Sequence, residues 1–200
     1  MTPGDFAAFP TGNLCNANPR VRALPSALRP LLPGRRIVGT ARTASISPGQ
    51  NGAIHRAVHR ATPGEVLVVA GGASLRFGPF GDLLADACKV RGMIGAVLDC
   101  TYRDSADIAA LGFQVFGRGT HPEATGKSER GDVDLPVTIG GIEIAPGDIV
   151  VGDDDGVVVF PARAAEEILA SAIQVADRET HIRARILAGE STLDIFGLTP

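Results

Sequence analysis

The chain has 200 residues, enough for one domain with its own core. Hydrophobic residues make up 44%, charged residues 20%, and the formal net charge is -3. That balance lacks the basic face of a nucleic-acid binder and the cationic attraction to an anionic membrane, and it predicts a single globular domain over 1–200.

Every apolar run is interrupted by Arg, Asp or Gly before it could span a bilayer. Met1–Pro10 carries no basic segment followed by an apolar one, so no signal peptide is expected. Cys15, Cys88 and Cys100 are odd in number and lack CxxC spacing, which predicts reduced thiols and a cytoplasmic protein.

In chain order, residues 16–35 are rich in Pro and Arg and predict an irregular connection with a short helix around Ser26–Leu32. Arg36–Thr40 predicts a strand, and Asn51–Ala61 a helix with Ile54, Ala57 and Val58 on one face. Glu65–Ala70 is a Val-rich buried strand. A Gly-rich loop, Gly71–Gly81, read as a flexible substrate loop, leads to a helix at Asp82–Arg91. Gly95–Asp99 is a second buried strand, Asp104–Leu111 a short helix stopped by Gly112, and Gln114–Phe116 a third strand. This β-α-β-α-β order makes parallel strands. Val133–Ile139, Ile142–Ile144, Ile149–Val151 and Val157–Phe160 are joined by Gly and Asp turns and predict an antiparallel meander. Asp153–Asp155 reads as a hairpin turn rather than a calcium loop. Ala162 to about Ala188 is a long helix closed by Gly189. The fold class is therefore α/β, with a parallel half, an antiparallel half and a long C-terminal helix.

Parallel strands send the loops after their C-terminal ends to one sheet edge, where helix N-termini also point. Those loops deliver Gly81-Asp82 and Arg103-Asp104. Asp82 and Asp104 each start a helix, so two N-caps would explain both without any function. The adjacent arginine changes the balance. Two carboxylates and a guanidinium beside free helix N–H groups suit a divalent cation and a carboxylate ligand. His55 and His59 are four apart on one helix but lack a third zinc ligand; His55 is expected near the pocket. His121 precedes Pro122 in a loop with no evident partner, and the only lysines, Lys89 and Lys127, fall away from the expected edge. The C-terminal helix has an apolar seam at Ile168, Ala172, Val175, Ile182 and Ile186, and the missing member of that seam is Glu179. It is either solvated or aimed at a partner.

The segment GDLLADACKVRGMIGAVLDCTYRDSADI at 81–108 resembles the signature of class II pyruvate aldolases acting on 4-hydroxy-4-methyl-2-oxoglutarate, which share a family with regulators of ribonuclease E activity. The aldolase branch carries Asp, twenty residues, then Arg-Asp, as in Asp82 and Arg103-Asp104; the regulator branch tends to lack the first acid. Further similarity runs through Asn51 and His55, Val115–Gly119 and PVTIGGIEIAPGDIVVGDDDGVVV at 136–159. Departures are Cys100, where Gly is usual and a side chain is expected to narrow the pocket, and Asn16, where Asp is usual.

The resemblance implies a swivelling β/β/α sandwich in a homotrimer or homohexamer with sites at subunit interfaces. It also implies retro-aldol release of pyruvate from a small 2-keto acid, with oxaloacetate decarboxylation as a side activity, and a Mg²⁺ or Mn²⁺ cofactor. In those terms Asp104 is the metal ligand, Arg103 the enolate stabiliser and Asp82 the holder of a metal water. The segment at Gly81, with the N–H groups of Leu83 and Leu84, receives the substrate carboxylate, and Glu179 comes from a neighbouring subunit. The alternatives are a non-catalytic ribonuclease regulator, disfavoured by Asp82, and a methyltransferase, for which no nucleotide motif is present.

Overall fold

The computed structural model describes residues 1–128 and 130–199. Helix α1 is Thr11–Ala17, and the short strands β1 (Arg22–Ala23) and β2 (Arg29–Pro30) follow. Then come β3 (Ile37–Ser45), α2 (Gly52–Arg60), β4 (Glu65–Ser74), α3 (Asp82–Val90), β5 (Gly95–Cys100), α4 (Ser105–Leu111) and β6 (Gln114–Gly117). The later elements are β7 (Val137–Ile139), β8 (Ile142–Ile144), β9 (Ile149–Asp153), β10 (Gly156–Phe160), α5 (Ala165–Leu187) and α6 (Thr192–Phe196).

Eight strands form one mixed sheet in the order β1-β10-β9-β3-β4-β5-β6-β2. The pairs β3–β4, β4–β5 and β5–β6 are parallel, as the alternation of strand and helix predicts. The expected meander is divided. β9 and β10 form a hairpin through Asp154-Asp155 and join the main sheet antiparallel to β3, whereas β7 and β8 pair in a separate two-stranded sheet.

Three apolar layers explain why the strands read as runs of Val, Leu and Ile. Leu67, Val69, Leu98 and Val115 face α2, α3 and α4, packing on Ile54, Leu84 and Ile108. Val66, Val68, Val97 and Phe116 face the other way, under Ile139 and Ile144 of the β7–β8 pair. Ile149, Val151, Val158 and Phe160 take Phe6, Leu14, Ile168 and Ala172 on their outer face. A strand buried on both faces loses the period-two alternation.

Two expectations are corrected, and two short helices, α1 and α6, go beyond them. The helix near Ser26–Leu32 does not form: Pro25 and Pro30 interrupt it, and Arg29–Pro30 pairs with β6. The segment before it contains α1, whose Leu14 is fully buried. The seam of α5 is buried only through Val175; beyond that point Ile186 is 42% exposed, and the unanticipated α6 lies beside this overhang. No helix among the described residues is long and apolar enough to cross a membrane.

Candidate active site

Four chain segments meet at the C-terminal edge of the parallel strands. They are the loop after β3 with the start of α2, the loop from β4 to α3, the turn from β5 to α4, and the stretch after β6. A hollow of about 200 Å³ between them is lined by Asn51, His55, Gly81, Asp82, Arg103 and Lys127, among others. On the other side of Arg103 a second hollow of about 350 Å³ is lined by Asp104, Ser105, Asp107, Thr120 and His121.

Neither aspartate is an N-cap in the expected sense. Gly81 is the N-cap of α3, and Asp82 is its first helical residue. Asp104 occupies the N-cap position of α4 in the left-handed region, φ 57° and ψ 38°, and its side chain makes no capping bond. A non-glycine residue is uncommon there, and Asp tolerates it better than most. The conformation turns the carboxylate back to the preceding strand edge. Its Oδ2 lies 3.2 Å from Arg103 Nε and accepts the N–H of Asp82 at 3.4 Å. Arg103, Asp104 and Asp82 thus form one cluster across residues far apart in sequence. A Cβ at Gly81 would strike Asp104 Oδ2 and come within 3.2 Å of Arg103 Nε, so the glycine is what lets the cluster close.

Among the described residues no protein acceptor engages the Nη groups of Arg103; its one ion pair is through Nε. Asn51 is buried, donating from Nδ2 to Pro79 O at 2.9 Å, while its Oδ1 has no partner among the described residues. Burial, then the Lys127 ammonium, holds the His55 imidazole below its ordinary pKa, so the neutral ring is favoured.

The two N–H groups expected to receive a carboxylate are already engaged. Leu83 N–H donates to Asp82 Oδ1 at 2.8 Å and Leu84 N–H to Gly81 O at 3.1 Å. A ligand carboxylate at Leu83 would displace the carboxylate of Asp82. Lys127 lines the hollow, contrary to its expected place. It arrives because the stretch after β6 returns to the edge, where Asn51 N–H donates to Gly126 O at 3.0 Å and Gln50 bridges Gly126. Only the rarity of lysine in this chain signals it.

Cys100 does not narrow either hollow. It is buried against Gly71, where an added Cβ would meet its Cβ at 2.7 Å, and burial pushes its thiol up to about 12. The Gly-rich loop is tied at its start: Ala73 N–H donates to Asp99 Oδ2, and Asp99 is paired with Arg118 Nε at 2.7 Å. Glu179 is exposed and does not reach the Arg103 hollow within its own chain. It lines a separate hollow of about 790 Å³ with Asn16, Ile182, Ile186 and Phe196.

This mixed α/β fold is shared with known proteins. The chain is a member of the RraA-like family (Aldolase/RraA), whose model matches residues 11–159. It is 36% identical over 180 residues, 90% of this chain and 86% of its relative, to a Halalkalibacterium halodurans protein named provisionally as a 4-hydroxy-4-methyl-2-oxoglutarate aldolase. It is also similar in structure to Streptomyces coelicolor RraAS2, described as an unusual member of the RNase ES inhibitor RraA family, with TM-score 0.82, 32% identity and coverage of 90% and 94%. The RNA-processing inhibitor RraA from Thermus thermophilis matches with TM-score 0.70 and 29% identity, over 76% of this chain and 92% of that one.

Proposed function

We propose that the protein is a divalent-metal-dependent carbon–carbon lyase that releases pyruvate from 4-hydroxy-2-oxo acids of the 4-hydroxy-4-methyl-2-oxoglutarate type, and decarboxylates oxaloacetate as a side activity. The observation that carries this reading is Arg103, held at Nε by Asp104 while its Nη groups meet no acceptor among the described residues, with Asp82 in the hollow on one side of it and Asp104 in the hollow on the other. A regulator that only binds another protein has no need of that constellation.

Among the described residues no group of three or more His, Cys, Asp or Glu side chains suits a caged metal. The donor set fits Mg²⁺ or Mn²⁺ instead, since such ions keep several waters and take one or two carboxylates plus substrate oxygens. Asp104 would hold the ion directly and Asp82 through water. When bound, the ion supplies Lewis-acid polarisation of the 2-keto group.

The chain's own groups account for the rest. Arg103 stabilises the negative charge that develops on the C2 oxygen as the C3–C4 bond breaks. Asp82, through a water, takes the proton of the C4 hydroxyl, and C4 leaves as a carbonyl. The electron pair stays on C3 as the pyruvate enolate, which is then protonated at C3. Asn51 Oδ1 offers an acceptor to a substrate hydroxyl, and Lys127 a cation to an acidic substituent at the far end. Glu179 completes the site from a neighbouring subunit of a homotrimer or homohexamer.

The test is pyruvate release by purified protein supplied with Mg²⁺ or Mn²⁺, over a panel of 4-hydroxy-2-oxo acids and oxaloacetate. Turnover of at least one acid well above the uncatalysed rate is expected; none on any acid would favour the regulator. The same assay reads Gly81→Ala. The backbone of Gly81, at φ -135°, tolerates a side chain, and the carboxylate that a Cβ would strike can swing aside. Thermal stability should therefore hold while turnover falls by about tenfold or more, because the cluster can no longer close. Unchanged turnover would separate Asp104 from the chemistry.

A further inference from the structure

Gly78 lies between His121 and Arg103. A Cβ there would meet His121 O at 2.5 Å on one side and Arg103 Cβ at 2.7 Å on the other. The stem of Arg103 therefore runs against this glycine, and any shift of residues 76–80 moves the track on which the guanidinium rests. Arg103 N–H also donates to Phe80 O at 3.0 Å, so its main chain follows the same segment.

That segment is strained where it turns. Phe77 has φ 76°, in the left-handed region that a bulky side chain rarely adopts. What holds it there is hydrogen bonding on both sides. Phe77 O accepts Thr101 Oγ1–H at 2.6 Å, and Phe77 N–H donates to His121 Nδ1 at 3.2 Å. His121 Nδ1 accepts a second main-chain donor, the N–H of Glu123, also at 3.2 Å. Glu123 O in turn accepts Gly78 N–H at 2.7 Å, and its carboxylate pairs with Arg76 at 3.1 Å. One ring nitrogen thus ties the β4–α3 loop to the stretch after β6.

We infer that His121 is a positioning residue for Arg103: its Nδ1 clamps Phe77 in the left-handed conformation, and the clamped loop fixes where the Arg103 side chain lies. This rests on the proposed role of Arg103. The ring itself does no chemistry; what matters is an acceptor at the δ position. Asparagine offers one at the same reach, since Oδ1 stands as far from the backbone as Nδ1, and Asn accepts the N–H two residues on in its ordinary turn geometry. Leucine fills similar space with no acceptor. Glutamine moves the acceptor one bond outward.

The experiment compares wild type, His121→Leu, His121→Gln and His121→Asn by amide hydrogen exchange and by pyruvate release. In His121→Leu the Phe77 and Gly78 amides should exchange faster, and kcat should fall by about tenfold or more with KM moving less, the mark of lost orientation. His121→Asn should restore both the protection and most of the turnover, which a purely structural loss would not predict. If the leucine variant does not fold, His121→Gln takes its place with the same expectation. Unchanged exchange at Phe77 in His121→Leu and His121→Gln would overturn the clamp. Faster exchange with unchanged kcat would overturn the link to Arg103. If wild type releases pyruvate from no acid, the proposed function falls, and protection at Phe77 alone decides the clamp.

Discussion

Replacing Arg103 with lysine is expected to lower kcat by about 10²-fold or more, with little change in thermal stability. In the proposed role the guanidinium does two things at once: Nε holds Asp104 Oδ2 at 3.2 Å, and the Nη groups, which meet no acceptor among the described residues, are left for the ligand. A lysine ammonium is a single point charge. It either collapses on Asp104 or faces the ligand, and it cannot do both. The folded state depends little on the pair, because both side chains are about one-third exposed and such pairs contribute roughly 0–1 kcal/mol. The check is steady-state pyruvate release alongside a melting curve. A lysine variant with near-normal kcat would mean that charge alone suffices and that the tethered fork has no role.

The second expected result is complementation between two inactive proteins. The portion of α5 beyond Val175 overhangs the domain, and Glu179 sits on it, away from the Arg103 hollow of its own chain. If a neighbour supplies Glu179, Arg103→Ala and Glu179→Ala should each be poor catalysts, and co-refolding them in equal amounts should restore activity. A complete site needs an intact Arg103 chain beside an intact Glu179 chain, which random mixing in a ring places at about one site in four. The mixture should therefore approach about a quarter of wild-type turnover. Activity no higher than the average of the parents, with subunit exchange confirmed by mass, would remove Glu179 from the site. Wild-type activity of Glu179→Ala alone would make it a solvated surface residue.

The edge cluster could be read in advance because the order of elements dictates it. Runs such as Val66–Val69 and Ala96–Leu98 have no alternation to follow, but bounded by Gly and followed by helices they leave only a parallel arrangement. Asp82, Arg103 and Asp104 then meet at one edge whatever the loop details. What could not be read are features that main-chain hydrogen bonding decides. The stretch holding His121 and Lys127 comes back to the site through bridges at Thr120 and Gly126, and such pairing leaves little mark on side-chain pattern. The left-handed turn at Asp104 is similarly hidden, since an aspartate before a helix reads first as a cap. Helices α1 and α6 were missed for another reason. At seven and five residues they are too short to display a helical period, and packing rather than propensity holds α1 in place.

Metal-dependent cleavage is tested most directly by one titration. The purified protein is stripped with excess chelator, dialysed, and assayed for pyruvate release from its best 4-hydroxy-2-oxo acid as Mg²⁺ or Mn²⁺ is added back, with Asp104→Ala run in parallel. Loss of activity on stripping, recovery on addition, and no recovery in Asp104→Ala are the expected results. The presence of Lys127 in the hollow makes the alternative concrete, because a lysine can activate a keto acid as a Schiff base without any ion. Full activity after stripping, abolished by borohydride in the presence of substrate, would contradict the account and transfer the chemistry to Lys127.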